Sequence, residues 1–366
     1  MAQENGASWP CGIAPQGHNV SPSGLCPKIS GVAGMTLDLI VIGAGPAGLT
    51  AAHAAQQAGL NYLVLERAAI AQTIAEYPIG RLLFSTPNEI ELIPGTLQPK
   101  FGPKPTREEA LAYYARLATR ELRLNIRAHE GAQSVLRVGD SFQVISEKAA
   151  YQARRVIVAT GGFGRPHRLK ARGETPARVS YRFVEAFPYA GQPILVVGGG
   201  NSAAEAALDL CRVGAQVAWS LRRPSLDPRP DEADRVGIKP WVREPLLECA
   251  ARGEVTIHYA TECVEVTPQA ALLQGADGKT RDVPCAHIFA LLGASPDVSL
   301  LAAAGVAIAP DGRPVYNPAT NETSVPGLYV AGHLTRELHM KNATVVPRRI
   351  VEAIARELTR SGLEAG

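Results

Sequence analysis

Two stretches of the chain carry the same hydrophobic pattern, about 150 residues apart. In each, a run of consecutive apolar residues leads into a glycine-rich loop, which leads into an alanine-rich segment with helical spacing: Leu39–Leu49 and Ile194–Ala203. Short runs of consecutive apolar residues are typical of parallel strands that are buried on both faces. The pattern therefore predicts two strand–loop–helix units.

Hydrophobic periodicity predicts further elements around these units. Residues 70–104 are punctuated by prolines, which favours an irregular loop that covers a ligand. Thr106 and Glu109 have capping-box spacing at the start of a helix. The other predictions are helices over 46–58, 202–212, 240–252 and 343–359, strands over 37–42, 62–66, 156–162, 193–197, 216–221, 255–259, 262–267, 286–292 and 325–333, and an antiparallel insert formed by strands over 126–138 and 141–146.

The first glycine loop has the chemistry of a dinucleotide site. Its residues are Gly43, Gly45, Pro46, Ala47 and Gly48. A G-x-G-x-x-G loop between strand and helix lets the helix N-terminus bind a pyrophosphate. Glu66 follows Gly43 by 23 residues at the end of the next predicted strand, the usual place of an acid that accepts ribose hydroxyls.

The second glycine loop differs at its ribose position. The loop runs from Gly198 to Ala203, and its candidate binding residues are Gly198, Gly200, Asn201, Ser202 and Ala203. The next predicted strand ends in Arg222 and Arg223, and the first of these lies 24 residues after the start of the loop. An arginine pair suits a dianionic 2′-phosphate, so this unit favours NADPH over NADH, and the alternative is a solvated surface pair.

Composition excludes other classes of function. The net charge of +3 is spread along the chain and charged residues make up 19%, so we expect no nucleic-acid partner. The longest apolar runs are much shorter than the roughly 20 residues of a membrane-spanning helix. We expect no membrane association and a cytoplasmic protein.

The six cysteines do not form a C-x-x-C pair. Cys211, Cys249, Cys263 and Cys285 lie in helical or strand patterns and are predicted to be core thiols. No spacing of metal ligands is present, so we expect no metal. Residues 1–34 are rich in Gly, Pro and Ser and are predicted to form a flexible arm; translation starting at Met35 and a redox pair of Cys11 and Cys26 are alternatives that stay open.

Taken together, the two glycine loops, the Ala159-Thr160-Gly161 strand end and the late strand over 327–332 resemble the two-dinucleotide-binding-domain flavoproteins related to thioredoxin reductases. The resemblance implies an α/β fold with two Rossmann-like dinucleotide-binding domains, the second inserted into the first. It implies an FAD-binding domain over 35–165 and 293–366, an NADPH-binding domain over 166–292, and a homo-oligomer. The FAD-binding residues that it implies are those of the first loop, Glu66, Arg67, Thr160, Gly161, Gly332 and His333.

Several short motifs are similar to those of the YpdA-type bacillithiol disulfide reductases. They are Tyr77-Pro78, Phe84-Ser85-Thr86, Arg107–Tyr114 and Ile238-Lys239-Pro240-Trp241. The segment 179–187, where thioredoxin reductases have C-x-x-C, lacks cysteine. The chain also has Ala47 where YpdA-type proteins usually have cysteine in the first glycine loop. A thiol mechanism at either place is therefore excluded.

His333 stands where most relatives have an aspartate that bonds the flavin ribityl chain. Its imidazole could donate a similar hydrogen bond or act as a proton donor, and the sequence leaves both roles open. His333 is the single candidate catalytic residue.

The leading functional hypothesis is an NADPH-dependent FAD oxidoreductase that passes a hydride from NADPH to FAD and on to a small-molecule or small-protein acceptor. A low-molecular-weight disulfide is one candidate acceptor. Two alternatives remain: electron transfer like that of ferredoxin or flavodoxin NADP reductases, and a non-catalytic flavin-binding redox sensor.

Overall fold

A computed structural model describes residues 36–226, 237–336 and 340–364. Residues 1–34, with Cys11 and Cys26, lie outside the described residues, so the predictions made for them stay predictions. Among the described helices, none combines the length and the apolar composition needed to cross a membrane.

Strands and helices follow each other in the order that the hydrophobic pattern predicts. The strands are β1 Leu37–Ile42, β2 Tyr62–Leu65, β3 Ile126–Arg127, β4 Ala132–Val138, β5 Ser141–Ser146, β6 Ala150–Val158, β7 Arg165–Pro166, β8 Val179–Ser180, β9 Pro193–Val197, β10 Gln216–Leu221, β11 Val255–Tyr259, β12 Thr261–Val266, β13 Ala270–Gly275, β14 Thr280–Pro284, β15 His287–Ala290, β16 Ala294–Ser295 and β17 Leu328–Val330. The α-helices are α1 Pro46–Gln57, α2 Gln72–Ala75, α3 Pro87–Ile90, α4 Arg107–Arg116, α5 Asn201–Arg212, α6 Pro240–Ala251, α7 Ser299–Ala303 and α8 Met340–Glu364.

The first sheet has β1 at its centre, between β2 and β6, with both pairings parallel. Along the far side of β6, the first half pairs antiparallel with β5 and the second half pairs parallel with β17. On one face of the sheet, the small side chains of α1, including the fully buried Ala51 and Ala55, let α8 pack closely through Ile350 and Ile354. The last part of the chain therefore completes the unit that the first part begins.

The second sheet is parallel throughout, in the order β11-β10-β9-β15-β8. Its two central strands are almost completely buried, and Trp219 in β10 is fully buried against the alanine face of α5. A separate antiparallel sheet of β12, β13 and β14 packs beside it. Parallel strands that are buried on both faces are apolar at consecutive positions. This explains why both units could be recognised from the sequence.

Where the chain passes between the two large sheets, its two crossing segments lie side by side. Strand β7 leads out of the first sheet and pairs antiparallel with β16, which leads back. His167, next to β7, has its imidazole Nε2 at 2.8 Å from Ser295 Oγ and its Nδ1 at 3.1 Å from the Leu292 carbonyl oxygen. The crossing is thus held by side chains as well as by backbone.

Several predicted elements need correction. Strand β3 pairs parallel with β2, so the prediction of an antiparallel insert is wrong for 126–127 and correct for β4 and β5. Residues 70–104 include the short helices α2 and α3 and are not irregular throughout. The closing helix extends beyond 343–359 at both ends despite its internal Pro347. The pattern of apolar side chains does not indicate whether a strand pairs in parallel with a distant strand. This explains the wrong prediction for 126–127.

The prediction of core thiols is correct for three cysteines and wrong for the fourth. Cys249, Cys263 and Cys285 are buried, whereas Cys211 is only half-buried. Cys211 lies at the end of α5, where the helix reaches the surface, so an apolar pattern alone did not reveal its exposure.

Candidate functional site

The first glycine loop is fixed by packing at its first and third glycines and open at its second. A Cβ on Gly43 would lie 2.6 Å from the Ala159 carbonyl oxygen, and one on Gly48 would lie 1.8 Å from the Gly43 carbonyl oxygen. A Cβ on Gly45 would meet no described atom within 4 Å. Gly45 is also the N-cap of α1, with an extended backbone. This arrangement lets a pyrophosphate approach the helix N-terminus closely.

The sheet brings the other predicted FAD residues to the same edge. Residues Ile42, Leu65, Val158 and Val330 stand level with one another at the carboxyl ends of their strands. The residues that follow are the glycine loop, Glu66 with Arg67, Thr160 with Gly161, and Gly332 with His333. The carboxyl edge of a parallel sheet is the usual binding place in α/β folds, so the structure groups the candidates as one site.

Glu66 connects the loop to the second strand. Its Oε2 accepts a hydrogen bond of 2.7 Å from the Ala44 backbone N–H, and its Oε1 accepts one of 2.8 Å from the Ala68 N–H. Each carboxylate oxygen has a further lone pair for a ribose hydroxyl. The Arg67 side chain lies beside Gly131, where a Cβ would be 3.2 Å from the Arg67 Cγ.

His333 lies in a short 3-10 turn, Gly332–Leu334, which contacts the first glycine loop at Ala47 and a third segment at Gly162. A Cβ on Gly332 would lie 2.9 Å from the Ala47 Cβ, and one on Gly162 would lie 2.8 Å from the His333 carbonyl oxygen. The Phe163 ring meets the imidazole edge to face at 6.0 Å between centroids. Glycines at 162 and 332 therefore permit the close approach of three separate chain segments.

Arg313 holds this turn, and no motif in the sequence indicates that role. Its Nη1 donates to the carbonyl oxygens of His333 at 2.9 Å and Leu334 at 3.3 Å, and to that of Thr335. One guanidinium thus bonds three successive carbonyl groups. Arg313 lies in an unremarkable surface turn after Asp311, so only the folded chain shows its role.

The second glycine loop repeats the geometry of the first. A Cβ on Gly198 would lie 2.3 Å from the Leu291 carbonyl oxygen and 3.2 Å from the Ala203 Cβ, whereas one on Gly200 would meet no described atom within 4 Å. Gly200 is the N-cap of α5. Asn201 begins the helix and accepts a hydrogen bond of 2.8 Å on Oδ1 from the Lys239 N–H, while Ser202 is exposed beside it.

The predicted arginine pair stands at the same edge as this loop. Arg222 and Arg223 follow β10, which pairs with the strand that leads into the loop. The methylenes of Arg223 lie beside Gly199, since a Cβ there would be 3.5 Å from the Arg223 Cδ. Arg222 extends into solvent, with 79% of its side chain exposed and Glu262 Oε1 at 3.8 Å. The geometry places Arg223 against the loop and leaves Arg222 at its rim.

The two halves of the molecule meet at a cleft of about 660 Å³. Arg81 crosses it, with Nη1 at 2.9 Å from Glu205 Oε1 and Nη2 at 2.8 Å from Asp209 Oδ2 on α5. Burial raises the pKa of Glu205 although the Arg81 guanidinium opposes the shift. The rings of Phe84 and Trp241, which also line the cleft, meet edge to face. These contacts join the loop after the first nucleotide unit to the helix of the second.

In the described part of the chain, thiols are confined to the second half. Cys211, Cys249, Cys263 and Cys285 all lie between α5 and β15. Ala47 occupies the first turn of α1, buried against Gly332. The described residues at the first site therefore include no cysteine.

Two glycine loops, each at the carboxyl edge of its own parallel sheet, define the class of proteins with two dinucleotide-binding domains. The chain belongs to the pyridine nucleotide-disulphide oxidoreductase family, whose sequence model matches residues 40–332. Membership makes it a flavoprotein oxidoreductase and implies binding of FAD and NAD(P)H.

Individual relatives agree with this assignment. The chain is 30% identical over 295 residues to a bacilliredoxin reductase Bdr from Bacillus subtilis, covering 80% of this chain and 88% of that protein. A solved structure of the bacillithiol disulfide reductase Bdr (YpdA) from Bacillus cereus superposes with a TM-score of 0.81 at 30% identity, over 88% of this chain and 100% of that one. A ferredoxin–NADP reductase from Ignicoccus hospitalis is 26% identical over 324 residues, covering 87% and 93%. The predicted fold class and the YpdA-type resemblance are confirmed.

Proposed function

We propose that the chain is an NADPH-dependent FAD oxidoreductase that passes a hydride from NADPH to FAD and then reduces an acceptor. The observation that carries the proposal is the paired glycine geometry. In both loops the first glycine is locked against a neighbouring carbonyl group and the second faces open space at a helix N-terminus. The family adds that the two nucleotides are a flavin and a nicotinamide.

FAD is assigned to the first loop. Gly45 and the α1 N-terminus would hold its pyrophosphate, and Glu66 would accept from its adenosine ribose. The turn at Gly332 and His333 would face its flavin portion, because that turn follows β17 at the same edge of the sheet and Gly332 contacts Ala47 of the loop. When bound, the flavin supplies the two-electron chemistry that no side chain of this site has.

NADPH is assigned to the second loop. Gly200 and Asn201 would face its pyrophosphate, and Arg222 and Arg223 would bind its 2′-phosphate. The contact of Arg223 with Gly199 supports this assignment, since it holds a cation beside the loop. A dianion gains charge-assisted hydrogen bonds there that the hydroxyl of NADH would not make.

The residues of the chain act mainly by positioning. Hydride transfer needs close, aligned donors and acceptors more than an acid or a base. Arg313 fixes the carbonyl groups of the turn that carries His333. Because Gly162 has no side chain, its segment can also approach the same turn closely. His333 would donate a hydrogen bond toward the flavin or supply a proton to the acceptor.

A low-molecular-weight disulfide is the acceptor that we propose, because two Bdr proteins are among the relatives. With Ala47 in the first loop, such a disulfide would be reduced directly at the flavin or through Cys11 and Cys26. Electron transfer to ferredoxin or flavodoxin is the second candidate, supported by the Ignicoccus relative and by the absence of cysteine from the described first site.

The proposal includes the domain division 35–165 with 293–366, and 166–292. The pairing of β7 with β16 at 165–166 and 294–295 supports these limits, because both crossings occur there. A homo-oligomer remains part of the proposal through the family resemblance alone.

An anaerobic titration tests the first half of the reaction. Purified protein with FAD is titrated with NADPH and separately with NADH, and loss of the oxidised flavin absorbance is followed. We expect reduction by NADPH at much lower concentration. Replacing both Arg222 and Arg223 with glutamine should raise the KM for NADPH at least tenfold and leave that for NADH unchanged. Arg172→Gln, at an exposed arginine of the same half, is the matched control.

An acceptor screen tests the second half. The reduced protein is mixed with bacillithiol disulfide, other small disulfides, ferredoxin and quinones, and reoxidation of the flavin is timed. Rapid reoxidation by a disulfide supports the proposal, and reoxidation by ferredoxin alone selects the second candidate. If NADPH does not reduce the flavin at all, the chain is a flavin-binding sensor and the proposal is wrong.

A further inference from the structure

Two cysteines that are 38 positions apart meet on neighbouring parallel elements of the second half. Cys211 is the second-last residue of α5, and Cys249 is the third-last residue of α6. Their sulfur atoms and a carboxylate oxygen of Glu254 all lie within 4.8 Å of one another. Cys211 is half-buried and Cys249 is buried, so one thiol is reachable from solvent and the other lies behind it.

The surroundings of this cluster disfavour a metal ion. Arg252 binds the Glu254 carboxylate with two of its guanidinium nitrogens, Nε to Oε1 at 2.9 Å and Nη2 to Oε2 at 2.8 Å. The same Nη2 donates to the Cys249 sulfur at 3.4 Å, and the Cys211 thiol donates to Glu254 Oε2 at 3.3 Å. A guanidinium thus already occupies the position that a cation would take, and two neutral thiols remain side by side.

We propose that Cys211 and Cys249 are an oxidisable dithiol that closes to an intramolecular disulfide by exchange with a low-molecular-weight disulfide. The Cys211 sulfur, as thiolate, attacks one sulfur of the small disulfide, and a mixed disulfide forms while one small thiol leaves. The Cys249 thiolate then attacks the Cys211 sulfur and releases the second small thiol. In total, two protein thiols are oxidised and one small disulfide is reduced to two thiols.

The neighbouring groups set the rate of the first step. Burial, the hydrogen bond with Cys249 and the Glu254 carboxylate raise the pKa of Cys211 to about 12. Because the thiolate is the nucleophile, exchange is slow at neutral pH. Its rate rises about tenfold for each unit by which the pH increases, as long as the pH stays below that pKa. The two thiols therefore stay reduced during brief exposure to a small disulfide and are oxidised by a sustained excess of it.

The position of the pair makes its oxidation structurally consequential. At the other end of the same two helices, Asn201 of α5 accepts a hydrogen bond from the Lys239 N–H at the start of α6. A disulfide would fasten the opposite ends of this helix pair, and the first residues of α5 belong to the second glycine loop. The inference rests on these contacts and does not depend on the proposed function.

Thiol mapping of the full-length protein tests the proposal. The protein is incubated with oxidised glutathione at pH 8.5, alkylated, digested and analysed by mass spectrometry. We expect a cross-linked peptide pair containing Cys211 and Cys249. In Cys249→Ser a glutathione adduct should persist on Cys211, and in Cys211→Ser Cys249 should stay reduced. Cys263→Ser, at a fully buried thiol of the same half, should behave as wild type.

A second measurement separates reactivity from misfolding. Glu254→Gln removes the charge that, in addition to burial, raises the pKa of Cys211, so disulfide formation at pH 7.5 should be at least about threefold faster, while the far-ultraviolet circular dichroism stays unchanged. The proposal is wrong if both thiols remain alkylatable after prolonged oxidation at pH 8.5. It is also wrong if the mixed disulfide persists in the wild-type protein, or if stoichiometric zinc alone protects both thiols from alkylation.

Discussion

Replacing Arg81 with methionine tests whether the ion pair across the cleft stabilises the folded chain. The substitution keeps the length and apolar stem of the side chain and removes the guanidinium that binds Glu205 and Asp209. These two acids lie one turn apart on α5, with 14% and 29% of their side chains exposed, and Arg81 itself is 15% exposed. Without Arg81, two carboxylates would face each other in a partly desolvated site.

The expected loss of stability follows from this burial. Removing one partner of a fully buried ion pair costs about 3–5 kcal/mol. Because the three side chains retain some solvent contact, we expect about 2–3 kcal/mol here. Arg116→Met is the matched control, since Arg116 bonds Glu121 at 3.1 Å with 52% and 41% of the side chains exposed. Exposed pairs contribute little, so this control should cost below about 0.5 kcal/mol beyond the loss of any packing.

The loss should depend on pH with a definite sign. Burial raises the pKa of Glu205 in the folded chain, so folding favours the protonated form of this residue. The resulting contribution to stability is complete below the pKa of Glu205 in the unfolded chain, and it is lost as the pH rises through the pKa in the folded chain. Arg81 lowers that pKa, so its removal raises it further. The difference between Arg81→Met and wild type should therefore be small near pH 4 and reach its full value near pH 8.

Equilibrium urea unfolding of the FAD-loaded protein, followed by circular dichroism and intrinsic fluorescence at pH 4.5, 6 and 8, measures these differences. Adding Glu205→Gln to Arg81→Met should recover about 1–2 kcal/mol at pH 8, because it removes the charge that Arg81 no longer neutralises, whereas Asp209 keeps its contact with Arg212 Nη1 at 3.3 Å. An equal loss at all three pH values, or a loss no larger than that of Arg116→Met, would refute the reasoning.

The glycine loops and the turn at His333 support further predictions. Gly48→Ala should destabilise even the FAD-free protein, because its Cβ would lie 1.8 Å from the Gly43 carbonyl oxygen, whereas Gly45→Ala should leave FAD-free stability unchanged and reduce bound FAD; thermal unfolding and flavin content distinguish them. Arg313→Met should weaken FAD binding about tenfold, since it releases three carbonyl groups of the turn. Fluorescence titration with FAD measures this change, and an unaltered Kd would contradict the positioning role.

Local chemistry made both nucleotide units visible without coordinates. Gly43, Gly48 and Gly198 are required where the backbone passes within a Cβ's reach of a carbonyl group, and the strands before them are continuously apolar because both of their faces are buried. Each requirement fixes the residue type at its own position, so it can be recognised in the sequence. The offset of Glu66 from Gly43 is similarly fixed by the length of one helix and one strand.

Contacts between distant segments cannot be recognised in this way. The two glycine loops, the acid and the arginine pair that follow them, and the absence of a C-x-x-C pair can all be recognised in the sequence. The contacts of Arg313 with the turn of His333, of Arg81 with α5 and of Cys211 with Cys249 are visible only in the folded chain. Each of these depends on how two elements pack, and many sequences with the same hydrophobic pattern would pack the same way with other side chains at those positions.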